Sequence, residues 1–462
     1  MKTAKLSQEE VFEQIRLKCR EDGFVHALAE LSFEDSFFTI YLDKGVNLLD
    51  IKEKRGDGNF VRYELSLLIG CLAQAPIIQN IPSRHNLDKL KKEICELLPL
   101  LHNGFKDALN EKIMESITSI EQGADPRDAD PLKSMEVMQE AIFYGGDAAC
   151  IFQYDNWIIE KYENDAVWFE KGIGSSLKDY VKVINCIAHH AKENANRSSP
   201  SGDTDFTATN TALDIFKFSR QLICQNTSVA QSIVDKILEK FTLGTLPENS
   251  NFSGPVAPNE ASFKPIMQLS KNEFVMFDSY GLLEAAYDAP FYWMQNDKVY
   301  KNTASINRGH FAEQKSYEML CRVFGKKNVH KNVKILSESK KDTLAEIDVL
   351  VVFAGRLIVL EAKSKKLTLK AKLGDKEAFS EDFKNAIQDA YDQSQKAIER
   401  IQEPNICVSL EDGDTLKLPD SFIEIYNLCV LANFYPALLP QVSQFLVIHE
   451  GKHPHWLPIF FS

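Results

Sequence analysis

From Glu346 to Lys363 the chain reads as two apolar runs rich in Val, Ile and Leu, broken once at Ala354-Gly355. That is the pattern of a β-hairpin whose strands are largely buried on both faces. Elsewhere a helical spacing dominates. Residues 1–120 read as helices, opened by a capping box at Ser7-Gln-Glu-Glu10 before Val11-Phe12. Asn86 to Leu101 and Phe105 to Ile120 repeat Leu and Ile at helical intervals, while Phe33 to Leu49 fits strand and helix alike. Further helices are expected at Leu132 to Tyr144, Leu177 to Ala195, 206–225 and 227–241, with polar breaks at Glu121 to Pro131 and Arg197 to Asp205. Gly244 to Pro258, with three prolines and little periodicity, reads as a linker or a wrapped surface segment. A hairpin follows (Phe263 to Leu269, then Glu273 to Phe277), its first strand confined to a sheet edge by Pro265.

Beyond residue 300 the two periodicities alternate. A helix is expected at 309–324, a strand at 332–336, then the 346–363 hairpin and a basic loop. The helix Glu381 to Gln402 packs through Phe383, Ala386, Ile387, Ala390, Ser394, Ala397, Ile398 and Ile401. A second hairpin at Ile406 to Leu418, a buried strand at Ile423 to Ala432 and a helix at Leu438 to Phe445 complete the set. The expected class is multidomain. A mostly α-helical half at 1–243 serves recognition, regulation or assembly, 244–305 links, and an α/β domain occupies 306–462.

Composition narrows this. The sequence has 462 residues and a net charge of −13, which argues against a protein that coats nucleic acid over its whole surface. The charge is uneven, however. Residues 301–375 hold 16 Lys and Arg against 8 Asp and Glu, a basic island around the hairpin. Lys365, Lys366, Lys370 and Lys372 in the loop after it are candidate contacts to a nucleic-acid backbone. Nine cysteines are scattered without a C-x-x-C pair, the usage of reduced thiols in a cytoplasmic protein. No 20-residue apolar window and no signal-peptide core are present. Walker A, dinucleotide, G-x-S-x-G and H-E-x-x-H patterns are also absent from the sequence.

Several weaker signals have bland readings. Cys186 and His190 are spaced for two metal ligands on one helix face, but without further ligands nearby a packed histidine is the better account. Gly145-Gly146 reads as a turn, and Gly172-Ile-Gly174 as the approach to a helix cap at Ser176 and Asp179. His449, His453 and His455 read as solvent-facing. The aromatic run Pro290 to Met294 suits stacking of exposed bases or, preferably, a satellite core between domains.

The hairpin carries the chemistry. A loop of two or four residues centred on Ala354-Gly355 sets Val352 opposite Leu357, Asp348 opposite Glu361 and Glu346 opposite Lys363. All four polar side chains then share one face. Two opposed carboxylates repel and resist burial. A divalent cation between them removes the conflict, because Mg²⁺ takes a few carboxylate oxygens and keeps several waters. Lys363 could then orient water and offset negative charge. The bland alternative is a Glu346–Lys363 salt bridge at a hairpin end.

Asp348, an apolar strand and then Glu361-Ala362-Lys363 is similar to the core motif of the PD-(D/E)XK nuclease superfamily. Over roughly residues 306–435 the context resembles its nuclease-related (NERD) and Mrr-like branches. The resemblance implies a restriction-endonuclease-like domain, a mixed central sheet flanked by helices. It implies Mg²⁺ or Mn²⁺ held by Asp348, Glu361, the Ala362 carbonyl and Glu313, which lies in the helical pattern Arg308-Gly309-His-Phe-Ala-Glu313. It makes Lys363 catalytic and suggests Gln393, on the following helix, as the glutamine aimed at the site. The implied activity is endonucleolytic cleavage of nucleic acid, DNA favoured over RNA, in defence against foreign DNA or in repair. The helical half is expected to engage a protein partner or a second copy. A non-catalytic nucleic-acid-binding or protein-interaction scaffold on the same fold is the alternative.

Overall fold

The computed structural model describes residues 6–36, 60–126, 129–130, 140, 143–144, 149–198, 211–244, 249–365, 368–372, 375–432, 442, 446–448 and 459–461. The expected helices at Leu132 to Tyr144 and Leu438 to Phe445 lie mostly outside these residues. So do most of Phe33 to Leu49, Gly145-Gly146, the break after Arg197, the three C-terminal histidines and Lys366. The chain forms two compact units, one of residues 1–129 and 149–296, the other of residues 130–148 and 297–462.

The first unit is mainly helical: α1 (Gln8–Cys19), α2 (Phe24–Ser36), α3 (Arg62–Leu72), α4 (Arg84–Glu121), α5 (Ile151–Tyr162), α6 (Leu177–Ser198), α7 (Ala212–Phe216), α8 (Arg220–Thr227), α9 (Gln231–Phe241) and α10 (Ser279–Asn296). The capping box opens α1. Ser7 Oγ accepts from the Glu10 amide at 3.2 Å, and Glu10 Oε2 accepts from the Ser7 amide at 2.8 Å. A small sheet joins them, of β1 (Lys217–Ser219), β2 (Thr242–Leu243), β3 (Ile266–Gln268) and β4 (Glu273–Met276), in the order β1-β4-β3-β2.

The helix expected at 206–225 is interrupted by β1, and two further expectations change here. Residues 249–261 are no linker. Phe252 is 1 % exposed in the main core and meets the Phe12 ring edge-on at 5.2 Å. Gln74 Nε2 donates to the carbonyls of Asn249 and Phe252, and Asn249 Nδ2 to that of Gly70. Proline and low periodicity deny this segment a regular element, but not burial. Second, β3 is an interior strand, because Pro265 precedes it and its missing N–H falls outside the ladder. The aromatic run of α10 sits within this unit's own packing, with Trp293 against Phe241 and Pro290 buried. His190 is a packed core histidine whose Nε2 lies 2.7 Å from the Lys217 carbonyl oxygen.

The second unit begins with α11 (Lys301–Phe324), so Arg308 to Glu313 falls mid-helix rather than at its start. A six-stranded sheet follows: β5 (Val329–Ser337), β6 (Thr343–Phe353), β7 (Arg356–Lys363), β8 (Ile406–Ser409), β9 (Glu424–Leu431) and β10 (Ile459–Phe461), in the order β10-β9-β7-β6-β5-β8. It is mixed, with β7 parallel to β9 and antiparallel to β6. The expected second hairpin is short: Ser409 bridges Thr415, the Leu410 amide donates to the Asp414 carbonyl at 2.8 Å and the Leu416 amide to that of Val408 at 2.8 Å. Helices α12 (Leu369–Lys372), α13 (Lys376–Phe383) and α14 (Asp389–Ile401) follow β7. One layer of the core joins Tyr317, Leu320 and Phe324 of α11 to Val349, Val351 and Leu360. Another joins Ala397, Ile398 and Ile401 of α14 to Leu350, Leu357 and Val359. Both faces are covered, which is why β6 and β7 read as continuous apolar runs. The expected class is what the chain adopts: a helical N-terminal half and a C-terminal mixed sheet flanked by helices.

Candidate active site

The hairpin loop has two residues. Ala354 (φ 48°) and Gly355 (φ 73°) are both left-handed, the geometry whose twist matches antiparallel strands. The register follows: Phe353 opposite Arg356, Val352 opposite Leu357, and so on to Val349 opposite Leu360. At the next step a side chain takes over. The Ala362 amide donates to Asp348 Oδ2 at 2.8 Å. On its other edge β7 stays paired with β9 through Lys363 opposite Leu431. One edge of the Glu361–Lys363 segment is thus fixed by backbone, the other by the Asp348 carboxylate.

Glu361 is 3 % exposed. Burial pushes its carboxyl up to about 9; Asp348 pushes the same way and Lys363 opposes. Burial also raises the Asp348 carboxyl, against the pull of the Ala362 N–H and Lys363 and with the push of Glu313. Glu361 Oε1 is buried with no hydrogen-bond donor in reach. A proton shared with Asp348, or a cation, would satisfy that oxygen.

Lys363 Nζ lies 4.0 Å from Glu361 Oε2 and donates to Oε1 of Gln393 on α14. Glu313 of α11 is half-buried, with its Oε2 3.4 Å from His310 Nδ1, and its charge bears on both Asp348 and Glu361. Asp348, Glu361, Lys363, Gln393 and Glu313 are therefore brought to one end of the sheet from four elements. Among the described residues, no group of three or more His, Cys, Asp or Glu side chains closes into a metal cage. A cation here would rest on Asp348, Glu361, the Ala362 carbonyl and water, a donor set that suits Mg²⁺.

The Glu346–Lys363 pairing is not formed. Glu346 lies opposite Lys334 on β5, with Oε1 3.6 Å from Lys334 Nζ. Beyond Val349 the strand β6 keeps its ladder with β5, not with β7, so Glu346 is aligned with the other neighbour. In the basic loop Lys365 Nζ is 3.0 Å from Asp382, a carboxylate 2 % exposed that also accepts from the Thr368 amide at 2.6 Å. Lys365 thus ties its own loop to α13. Lys370 is exposed and Lys372 lies on α12.

Sequence reading passed over Asp382 and Asn427. Asp382 sits three residues after buried Phe379 and beside Phe383, on the face that packs inward. Asn427 interrupts the apolar β9, is 1 % exposed, and accepts from Ser394 Oγ of α14 at 2.6 Å. A polar residue inside a buried strand was the available signal.

A mixed sheet covered on both faces, with an acidic pair and a lysine on its central hairpin, is consistent with a nuclease-like domain. Residues 308–431 match the family described as nuclease-related domain, consistent with a PD-(D/E)XK-like nuclease branch. No curated protein and no solved structure matches the chain.

Proposed function

We propose that the second unit is a metal-dependent nuclease hydrolysing phosphodiester bonds of nucleic acid, DNA in preference to RNA. The observation that carries this reading is the pairing of a buried Glu361 with a half-buried Asp348, with the donorless Glu361 Oε1 and Lys363 alongside. A structural pair of carboxyls so placed would only destabilise the fold. Asp348, Glu361 and the Ala362 carbonyl would hold Mg²⁺ or Mn²⁺, with Glu313 joining directly or through water. Bound there, the cation supplies charge neutralisation and Lewis-acid polarisation of the phosphate.

The chain's own residues do the rest. In hydrolysis a water oxygen bonds to phosphorus and one ester P–O bond breaks. Lys363 orients that water and offsets the negative charge that develops on the phosphoryl oxygens. Gln393, bonded to Lys363 Nζ, keeps the amine aimed at the site. The exposed lysines of the basic island attract the polyanion. The preference for DNA and a role in defence or repair rest on resemblance to the superfamily. The helical unit would supply recognition or an assembly surface for a protein partner. Nine free thiols and the lack of a described helix long and apolar enough to cross a membrane suit work in the cytoplasm.

The test incubates the protein with single- and double-stranded DNA and with RNA, in Mg²⁺, in Mn²⁺ and in chelator. Wild type should cut only with metal, and Asp348→Ala and Lys363→Ala should lower the rate by about 10²-fold or more. Equal cutting by the variants would sink the assignment. Salt-sensitive binding without any cutting would favour a non-catalytic scaffold instead.

A further inference from the structure

Helix α11 carries a glycine for which the described residues offer no steric reason. Glycine weakens a helix relative to alanine, so a helical glycine ordinarily answers to a close neighbour. The other described helical glycines do. A Cβ at Gly70 would stand 2.3 Å from Asn259 Oδ1, and one at Gly104 2.9 Å from Gln8 Cγ. At Gly172 it would stand 2.9 Å from the Trp168 ring, and at Gly281 2.3 Å from the Asp278 carboxylate. Gly309 differs. Among the described residues a Cβ there would meet only Glu313 Oε1, at an ordinary 3.9 Å, and the backbone is not left-handed. Alanine would fit among the described residues.

The position explains what the packing does not. Glu313, the one described side chain that Gly309 faces, borders Asp348 and Glu361 electrostatically. The bare backbone is therefore on the site side of α11, one turn from Glu313. His310 beside it is exposed. A ligand that reaches the acidic pair along this side of the helix passes over Gly309, and a polymer does so with more than its reacting group.

We infer that Gly309 is a positioning residue for substrate: it lets the sugar–phosphate backbone of a nucleic-acid strand pass against α11 on its way to Asp348 and Glu361. The inference rests on the nuclease reading above. A methyl at Gly309 meets the strand at its closest approach, and an isobutyl group meets it harder, while the reacting groups stay in place. The expected signature is weakened binding with the chemical step retained.

The experiment compares wild type with Gly309→Ala and Gly309→Leu by thermal unfolding, by steady-state cleavage of an oligonucleotide, and by binding of a fluorescent oligonucleotide in chelator. Alanine should raise Tm by about 2–4 °C through its better helix propensity. KM should rise about fivefold for alanine and further for leucine, with kcat within about twofold of wild type. Affinity in chelator should fall in the same order. Unchanged KM and affinity in both variants would overturn the inference, as would a lower Tm for alanine, which would mean that the position packs against the chain itself. If wild type binds the oligonucleotide but cuts nothing, the nuclease reading fails while the binding series still decides the role of Gly309. Neither binding nor cutting by wild type overturns both.

Discussion

Glu361 is a carboxyl whose folded environment favours the proton. Its ordinary value near 4.5 is pushed up to about 9, chiefly by burial and then by Asp348. The folded state therefore binds a proton that the unfolded state releases. The associated stability is complete below about pH 4.5 and is lost as pH rises through 9. In chelator, wild type should lose stability across that window. Glu361→Gln keeps the shape and removes the ionisation, so at pH 8 it should be more stable in chelator by on the order of 1–3 kcal/mol, with cutting abolished. Thermal melts from pH 5 to 9 read the difference; parallel melting curves for the two proteins would refute it. The acidic pair and Lys363 were legible because ionisable residues punctuate an otherwise apolar hairpin. Asp382 was not, because in sequence it is one more acid among exposed acids, and only the packing of α13 buries it beside Lys365.

At the scale of elements, the hairpin's register is set by its loop. Ala354 accepts a left-handed conformation that disfavours an L side chain by about 1 kcal/mol. Ala354→Asn, a residue that tolerates this region, should stabilise the protein by about 0.5–1 kcal/mol without altering cleavage. Denaturant melts check it, and no gain would mean that the loop is not the type assigned. The two-residue loop was an open alternative in the sequence, and the structure selects it. The pairing of Glu346 was not legible. Local alternation put it opposite Lys363, but β6 lies between β5 and β7, and at that level it keeps its partner on β5. Alternation states which face a side chain takes, not which neighbouring strand continues alongside. Most of the packing face of the helix after the hairpin is legible, since its small and apolar residues recur at helical spacing and each is buried; Tyr391 and Gln395, also buried, fall outside that pattern.

For the whole molecule, the division of the chain matters most. The sequence pattern assigns 244–305 to a linker with a hairpin and an aromatic clamp, yet the described residues from 249 to 296 add to the first unit's core and sheet. Phe252→Ala should destabilise that unit by about 3–5 kcal/mol, a core truncation that leaves a cavity beside Phe12. Limited proteolysis and thermal melts measure it, and a neutral effect would restore the linker reading. What the sequence determined by itself was local: helical periodicity in the first half, the apolar hairpin, the face of the helix behind it, and the few charged residues that buried strands would not otherwise carry. Each follows from side-chain pattern over neighbouring residues. What only tertiary structure decided was non-local. It brought Glu313 and Gln393 to the acidic pair, gave Glu346 to a different strand, buried Asp382 and Asn427, and folded a proline-rich segment into a core. Those outcomes depend on contacts between residues far apart in the chain, on which local propensity is silent.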